Sequence, residues 1–495
     1  DGVVWIEVAD RGGELGATRA GVTGEAPSDV LWHYNLSARH LDKLCERVDT
    51  FSVSGDGERL VVRHRDDTIV VPSSHKVDDD DPAYIRVDLT RLRRTVNPRA
   101  EWRQMFDENG RLMASHYWRE DMNGVDWDSV LNRYRPLVDL CHVVDDLHDI
   151  LWETVAELNT SHSYVSASGA AGDSDMRAGL LGADVSSGND GAKVVRVIPG
   201  ESSDPRAWSP LRAAGVAVTE GDVIVAVDGR KVGADGNLGE LLEGSAGRVV
   251  ELTVRRGENE RQVAVVPMAD EAPLRYHDWV ASRRRYVEEH SGGRLGYLHV
   301  PDMVSDGWAE LHRQIGEATR HEGVIADVRF NHGGHTSQLV VERLARRVVG
   351  WDYSRWYATA DTYPQNAVRG PIVMVTNQWA GSDGDIVAAA TQAMGYAKVI
   401  GERSWGGVVG IDGRFDLVDG TSVTQPRYAG WYGSYGWGVE NHGVDPDIVV
   451  TVSPEDWEAD CDVQLDAAIA ECLRQLDDKP AATAPELPGP AFDRC

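Results

Sequence analysis

The sequence predicts a multidomain chain that is all-β at its start, then helical, then β again, and α/β towards its end. Three observations carry this reading. At 495 residues the chain exceeds what one hydrophobic core supports, so three or four domains are expected. The hydrophobic period changes along it, from alternation to a spacing near 3.6 and back. Past residue 269, strand-like and helix-like stretches take turns, which implies a largely parallel, right-handed α/β layer.

Residues 1–96 read as short strands, at 3–8, 30–34 and 60–63, separated by Gly/Asp turns. The phrase Phe51-Ser52-Val53-Ser54-Gly55-Asp56-Gly57, followed by a strand, resembles a β-propeller blade. One or two blades are in view and a closed propeller needs more, so the end of a larger, partial propeller is expected. Residues 97–175 form a helical or mixed domain: Trp102, Met105, Phe106 and Leu112 keep a helical period, and residues 143–158 repeat it. That second helix is expected to end before Asn159-Thr160-Ser161-His162-Ser163-Tyr164.

Residues 176–268 read as a separate unit of hydrophobic strands and one short helix. Its phrases Gly179-Leu180-Leu181-Gly182, Glu220-Gly221-Asp222-Val223-Ile224 and Val227-Asp228-Gly229 resemble a PDZ domain. Such domains take a peptide as an added strand and hold its carboxylate on loop amides. A PDZ-shaped spacer without a ligand is the plain alternative. Residues 269–476 form the α/β core, with strands at 295–300, 324–330, 372–376 and 398–401 and a helix at 307–320. The Pro- and Ala-rich residues 477–495 are expected to be a disordered tail.

Composition narrows the function. An apolar fraction of 42% with 26% charged residues is ordinary for globular protein. The longest apolar runs, such as that around 371–375, fall well short of a membrane span, and no signal segment opens the chain. It begins at Asp1 without a methionine and reads as entering in mid-domain, as a fragment or processed product would. A net charge of −30 argues against nucleic acid and favours basic peptides as ligands. Cys45, Cys141, Cys461, Cys472 and Cys495 form neither a disulfide framework nor a zinc site, which fits a reducing compartment. Cytoplasm is therefore expected.

The candidate chemistry sits in the α/β core. Ser382, in Trp379-Ala380-Gly381-Ser382-Asp383-Gly384-Asp385, follows a buried strand and opens a helix of small residues. A hydroxyl there gains the positive end of the helix dipole and nearby amides for an oxyanion. A plain helix cap is the competing reading. The loop Asn331-His332-Gly333-Gly334 also lies just beyond a strand, and its glycines let a ligand approach the backbone. Both segments belong to the strand ends where ligands gather in such sheets. A nucleophilic serine requires a base. His332, His335 and His442 are nearest in sequence. The spacing His332-Gly-Gly-His335 does not suit a helical metal pair, and neither metal nor cofactor is expected. The acidic run Asp78-Asp79-Asp80-Asp81 lacks calcium-loop spacing and reads as a solvated turn.

The order of propeller end, helical piece, PDZ-like unit and serine-bearing α/β domain resembles tricorn protease over essentially the whole chain. The core is similar to the carboxyl-terminal processing peptidases, which implies a crotonase-like fold. Those enzymes place a lysine base about 25 residues after the serine, and at that spacing this chain has Gly407. A Ser-Lys mechanism is thereby disfavoured. The tricorn resemblance implies instead His162 as general base and acid, with Ser161 and Glu440 orienting the imidazole. It implies oxyanion donors at the amide of Asp383 and at Gly333 or Gly334. Glu402 competes with Glu440 as the orienting carboxylate. Asp352 falls near the place of a specificity aspartate, contributed across a subunit interface, that would favour Lys or Arg beside the cut. Further implications are a homo-hexamer, short peptides from a proteasome-like protease as substrates, and aminopeptidase or proteasome partners. The readings in competition are a catalytically inactive, PDZ-bearing peptide-binding scaffold and a Ser-Lys processing peptidase.

Overall fold

The computed structural model describes residues 2–8, 28–64, 67–93, 95–168, 176–188, 190–233, 236–412 and 415–487. The first part holds two antiparallel sheets. Strands β1 (Gly2–Glu7), β2 (Val30–Asn35) and β3 (His40–Glu46) form one. Strands β4 (Thr50–Val53), β5 (Arg59–His64), β6 (Asp67–Pro72) and β7 (Ile85–Val87) form the other. Leu60 and Val62 alternate with exposed neighbours along β5 and share one core with Leu31 of β2.

Three helices follow. Helix α1 (Pro98–His116) starts where Asn97 accepts from the Ala100 amide and Pro98 fits the first turn. Helix α2 (Trp127–Val138) is capped by Asp126, and α3 (Val144–Ala156) has Asp145 and Asp146 in its first turn. Strand β8 (Val165–Ser166) then leaves this layer.

The next unit is an antiparallel sheet ordered β14-β13-β11-β10-β9, with β12 beside β11. Its strands are β9 (Ala183–Gly188), β10 (Gly191–Val197), β11 (Val223–Val227), β12 (Arg230–Lys231), β13 (Val250–Arg256) and β14 (Asn259–Val265). The short helix α4 (Leu238–Leu241) closes its core with Leu238 and Leu241.

Helix α5 (Ala272–His290) leads into the largest domain. There β15 (Leu295–His299), α6 (Ser305–Ala318), β16 (Gly323–Asp327) and α7 (Ser337–Leu344) are followed by the hairpin β17 (Gly350–Asp352) and β18 (Asp361–Tyr363). Next come β19 (Ile372–Thr376), α8 (Asp383–Met394), β20 (Ala397–Gly401), β21 (Gly410–Asp412), β22 (Ser422–Val423), β23 (Gln425–Tyr428) and β24 (Ile448–Val449). Helices α9 (Pro454–Glu458) and α10 (Val463–Asp478) end the fold.

The central sheet runs β15-β16-β19-β20-β24, every pair parallel. Strands β15, β16 and β19 are buried throughout, as a sheet covered on both faces demands. Leu298, Ala326, Met374 and Val399 face α6, α7 and α8. Tyr297, Ile325, Val373 and Ile400 face α5 and α10. The strand expected over 324–330 stops at Asp327; the Val328 amide makes one last bond to the Val375 carbonyl at 2.8 Å, and the chain then turns away, with Phe330 at φ 59°. Residues 479–487 follow α10 along the core, where the Ala482 amide donates to the Arg369 carbonyl at 2.8 Å. The rest of the expected tail, 488–495, lies outside the described residues.

The helical layer is stitched to this domain far from it in sequence. Strand β8 pairs with β22, matching Val165 to Val423. Thr424 secures the join from both sides: its hydroxyl accepts from the Tyr164 amide at 2.7 Å and donates to the His162 carbonyl at 2.5 Å. Among the described residues no helix is long and apolar enough to cross a membrane.

Candidate active site

Ser382 stands between β19 and α8, at φ 58°, ψ −118°. These angles belong to a turn position that glycine dominates, so a serine there is strained by roughly 1–3 kcal/mol. Its hydroxyl does not cap the helix, and the residue lines a cavity of about 220 Å³. His162, Tyr164, Asn331, His332, Trp379 and Trp405 also line that cavity. The cap role considered for Ser382 is therefore not the one it plays.

Asn331 binds the two strand-end loops together. Its carboxamide donates to the Val300 carbonyl at 2.8 Å and accepts from the Gly333 amide at 2.9 Å. Its own carbonyl accepts from the Gly381 amide at 3.0 Å. A Cβ on Gly333 would fall 2.5 Å from Ser382 Cβ and 3.1 Å from its Oγ, so only glycine fits there. Gly334 has φ 145°, and a Cβ there would meet the Met303 backbone. The Asp383 carboxylate faces the other way and accepts from the amide and hydroxyl of Ser337.

His162 is buried and comes from the helical layer through the β8–β22 join. Its Nδ1 lies 2.8 Å from the Val409 carbonyl. A carbonyl only accepts, so Nδ1 carries the proton and Nε2 keeps its lone pair. Ser161 Oγ lies 3.2 Å from the same Nδ1 and donates to Glu440 Oε2 at 3.0 Å. Glu440 also accepts from the amides of Ser161, Val408 and Val409, at 2.6, 2.8 and 3.0 Å. Burial lowers the His162 pKa from its ordinary value, while the Val409 carbonyl and the Glu440 charge pull it partly back. The imidazole is thus neutral near pH 7. His162 and Ser382 line the same cavity without a hydrogen bond between them.

Trp405 forms another wall, 5.7 Å from the His162 ring and edge-on to it. Asp385 holds this loop from α8: it accepts from the Ser404 hydroxyl and from the amides of Gly406 and Gly407. Burial pushes its carboxyl up to about 6 against these donors. The loop occupies the stretch where a lysine base was sought.

The other candidates separate clearly. His332 shares the cavity; His335 and His442 are not among its walls, and His442 pairs with Asp445 at 2.8 Å. Glu402 borders a neighbouring cavity and does not meet His162. Asp352 is exposed on the β17–β18 hairpin, outside the cavity. Sequence reasoning quoted Asn331 and Asp385 within its candidate segments but missed what they hold in place, and it missed Trp405 and the Val409 carbonyl as parts of the site. A lone acid three residues after Ser382, inside a helix of small residues, was a usable signal for Asp385; a backbone carbonyl leaves none.

The stretch that folds as the parallel sheet, residues 294–450, matches the family model described as Peptidase family S41. Two further models match the preceding units: the Tricorn protease PDZ domain over 179–270 and the Tricorn protease C1 domain over 98–156. Tricorn protease homolog 1 of Streptomyces coelicolor is 55% identical, covering 99% of this chain and 46% of that protein. Tricorn protease of Thermoplasma acidophilum is 35% identical, covering 92% of this chain and 42% of its own length. The crystal structure of the tricorn protease superposes with a TM-score of 0.86 at 33% identity, over 96% of this chain and 46% of that one. The chain belongs to the tricorn protease family, and it spans about half the length of these relatives.

Proposed function

We propose that the chain is the catalytic part of a serine endopeptidase that cleaves short peptides. Ser382 attacks the scissile carbonyl, His162 Nε2 takes the hydroxyl proton, and the same nitrogen later protonates the leaving amine. Ser161 and Glu440 hold the imidazole and stabilise its cationic form. The first amide of α8, at Asp383, and an amide of the Gly333-Gly334 loop serve the oxyanion. The observation that carries this reading is the hydrogen-bonded line Glu440–Ser161–His162, which ends in the cavity holding the strained Ser382. Gly407 packs against Trp405 where a Ser-Lys enzyme needs its base.

The kinship supports the wider proposals. The two sheets of the first 93 residues are read as the end of a propeller, and the assembly as a homo-hexamer in the cytoplasm. Its peptides would come from a proteasome-like protease, and an aminopeptidase would follow it. Asp352, exposed on its hairpin, is available to a neighbouring subunit as a determinant for Lys or Arg. Separate Ser382→Ala and His162→Ala variants test the chemistry on a fluorogenic Arg or Lys peptide. Loss of cleavage in both is expected; cleavage equal to wild type in either defeats the mechanism.

A further inference from the structure

A second cavity, of about 700 Å³, adjoins the first. Its walls are residues just past the carboxyl ends of β16, β19, β20 and β24, the edge of a parallel sheet where ligands bind. Trp379 is a wall of both cavities, so this second cavity, a groove along the strand ends, lies beside the one that holds Ser382.

Aromatic rings face this groove without cover. Trp457, Trp379 and Phe330 are 79%, 64% and 42% exposed. Phe330 is held out by its positive φ, with Trp279 edge-on at 6.3 Å. Such rings left in water at a strand-end cleft point to an occupant. The charges decide which. Arg329 is taken up by Asp327 and Asp462, at 2.7 and 2.8 Å, and Arg283 by Asp462 at 3.2 Å. Half-buried Glu402 has no cationic partner among the described residues. The groove therefore combines apolar ring faces with two carboxylates, Glu402 and Asp456, that no Lys or Arg neutralises among the described residues; Asp456 is engaged by the Ser453 amide and hydroxyl, which leaves Glu402 for a ligand. A long side chain with an aliphatic stem and a cationic head satisfies both, the stem lying on the rings and the head meeting Glu402.

We propose that this groove is a subsite for the Lys or Arg side chain of a residue flanking the scissile bond. The assignment rests on the peptidase reading above and is separate from the exposed Asp352. In the full chain, peptides carrying lysine or norleucine at each flanking position are compared for kcat and KM. Wild type is expected to favour lysine at one position by about tenfold, through KM. Glu402→Gln and Trp457→Ala should each collapse that ratio towards one, and Glu402→Lys should turn the preference to glutamate. A ratio unchanged in all three variants overturns the subsite. Binding to Ser382→Ala protein, followed by tryptophan fluorescence, separates the two readings. If wild type cleaves nothing, yet lysine binding still depends on Glu402, the groove stands and the peptidase reading falls. If cleavage is robust and lysine binding ignores Glu402, the groove falls alone.

Discussion

Ser382, His162 and Phe330 all take positive φ, the first two at the cavity of the candidate site and Phe330 at the one beside it. Strain persists only where the surroundings enforce it, and here they do so at residues argued to meet a ligand. Ser382→Gly should raise the melting temperature relative to Ser382→Ala, by a stability of about 1 kcal/mol, with activity absent from both. Equal melting temperatures would show that the serine is not strained. The His162 tautomer fixes the pH response. A base whose pKa lies below the ordinary 6.5 works once deprotonated, so kcat/KM should rise along an acid limb centred below that value. Glu440→Gln removes the charge that favours the imidazolium. The limb should then move to still lower pH while kcat falls roughly 100-fold, because the cationic transition state loses its support. An unmoved limb would detach Glu440 from His162. Sequence made Ser382 and the Gly-Gly loop legible because their types and spacing carry chemistry. It named Asn331 as part of that loop and left its bridging role unseen, since the segments it joins meet only in space.

At the scale of elements, two strand-end loops supply the serine and its glycine wall, and a third segment brings His162, the proposed base, to the same cavity. That segment depends on Thr424, one residue past β22. Thr424→Val keeps the shape and leaves the Tyr164 amide and the His162 carbonyl without partners. It should cost about 1–3 kcal/mol and lower kcat more than it raises KM, since the loss is one of placement. A change in KM alone would place Thr424 in substrate binding instead. The buried strands β15, β16 and β19 were legible as unbroken apolar runs. Helix α5 was not, because its polar residues mask the few buried ones, Leu274, Val280 and Val287. The end of β16 was overrun because Val328, just past the strand, is apolar and buried and its amide still donates to Val375 of β19 at 2.8 Å.

Over the whole molecule, the two halves of the candidate site lie more than two hundred residues apart, so the domains must close on one another before any chemistry is possible. The chain as a whole carries a net charge of −30. Cationic peptides should therefore be drawn to it, and raising salt from 50 to 500 mM should raise KM several-fold for a lysine-rich peptide. A neutral peptide should show little change, and equal sensitivity would remove electrostatic attraction from the account. The central claim is that Ser382 is activated by a histidine from another domain. A fluorophosphonate probe, read by peptide mass spectrometry on wild type and on His162→Ala, tests it most directly. The account predicts labelling at Ser382 in wild type and its loss in the variant; undiminished labelling without His162, or labelling at another serine, would contradict it.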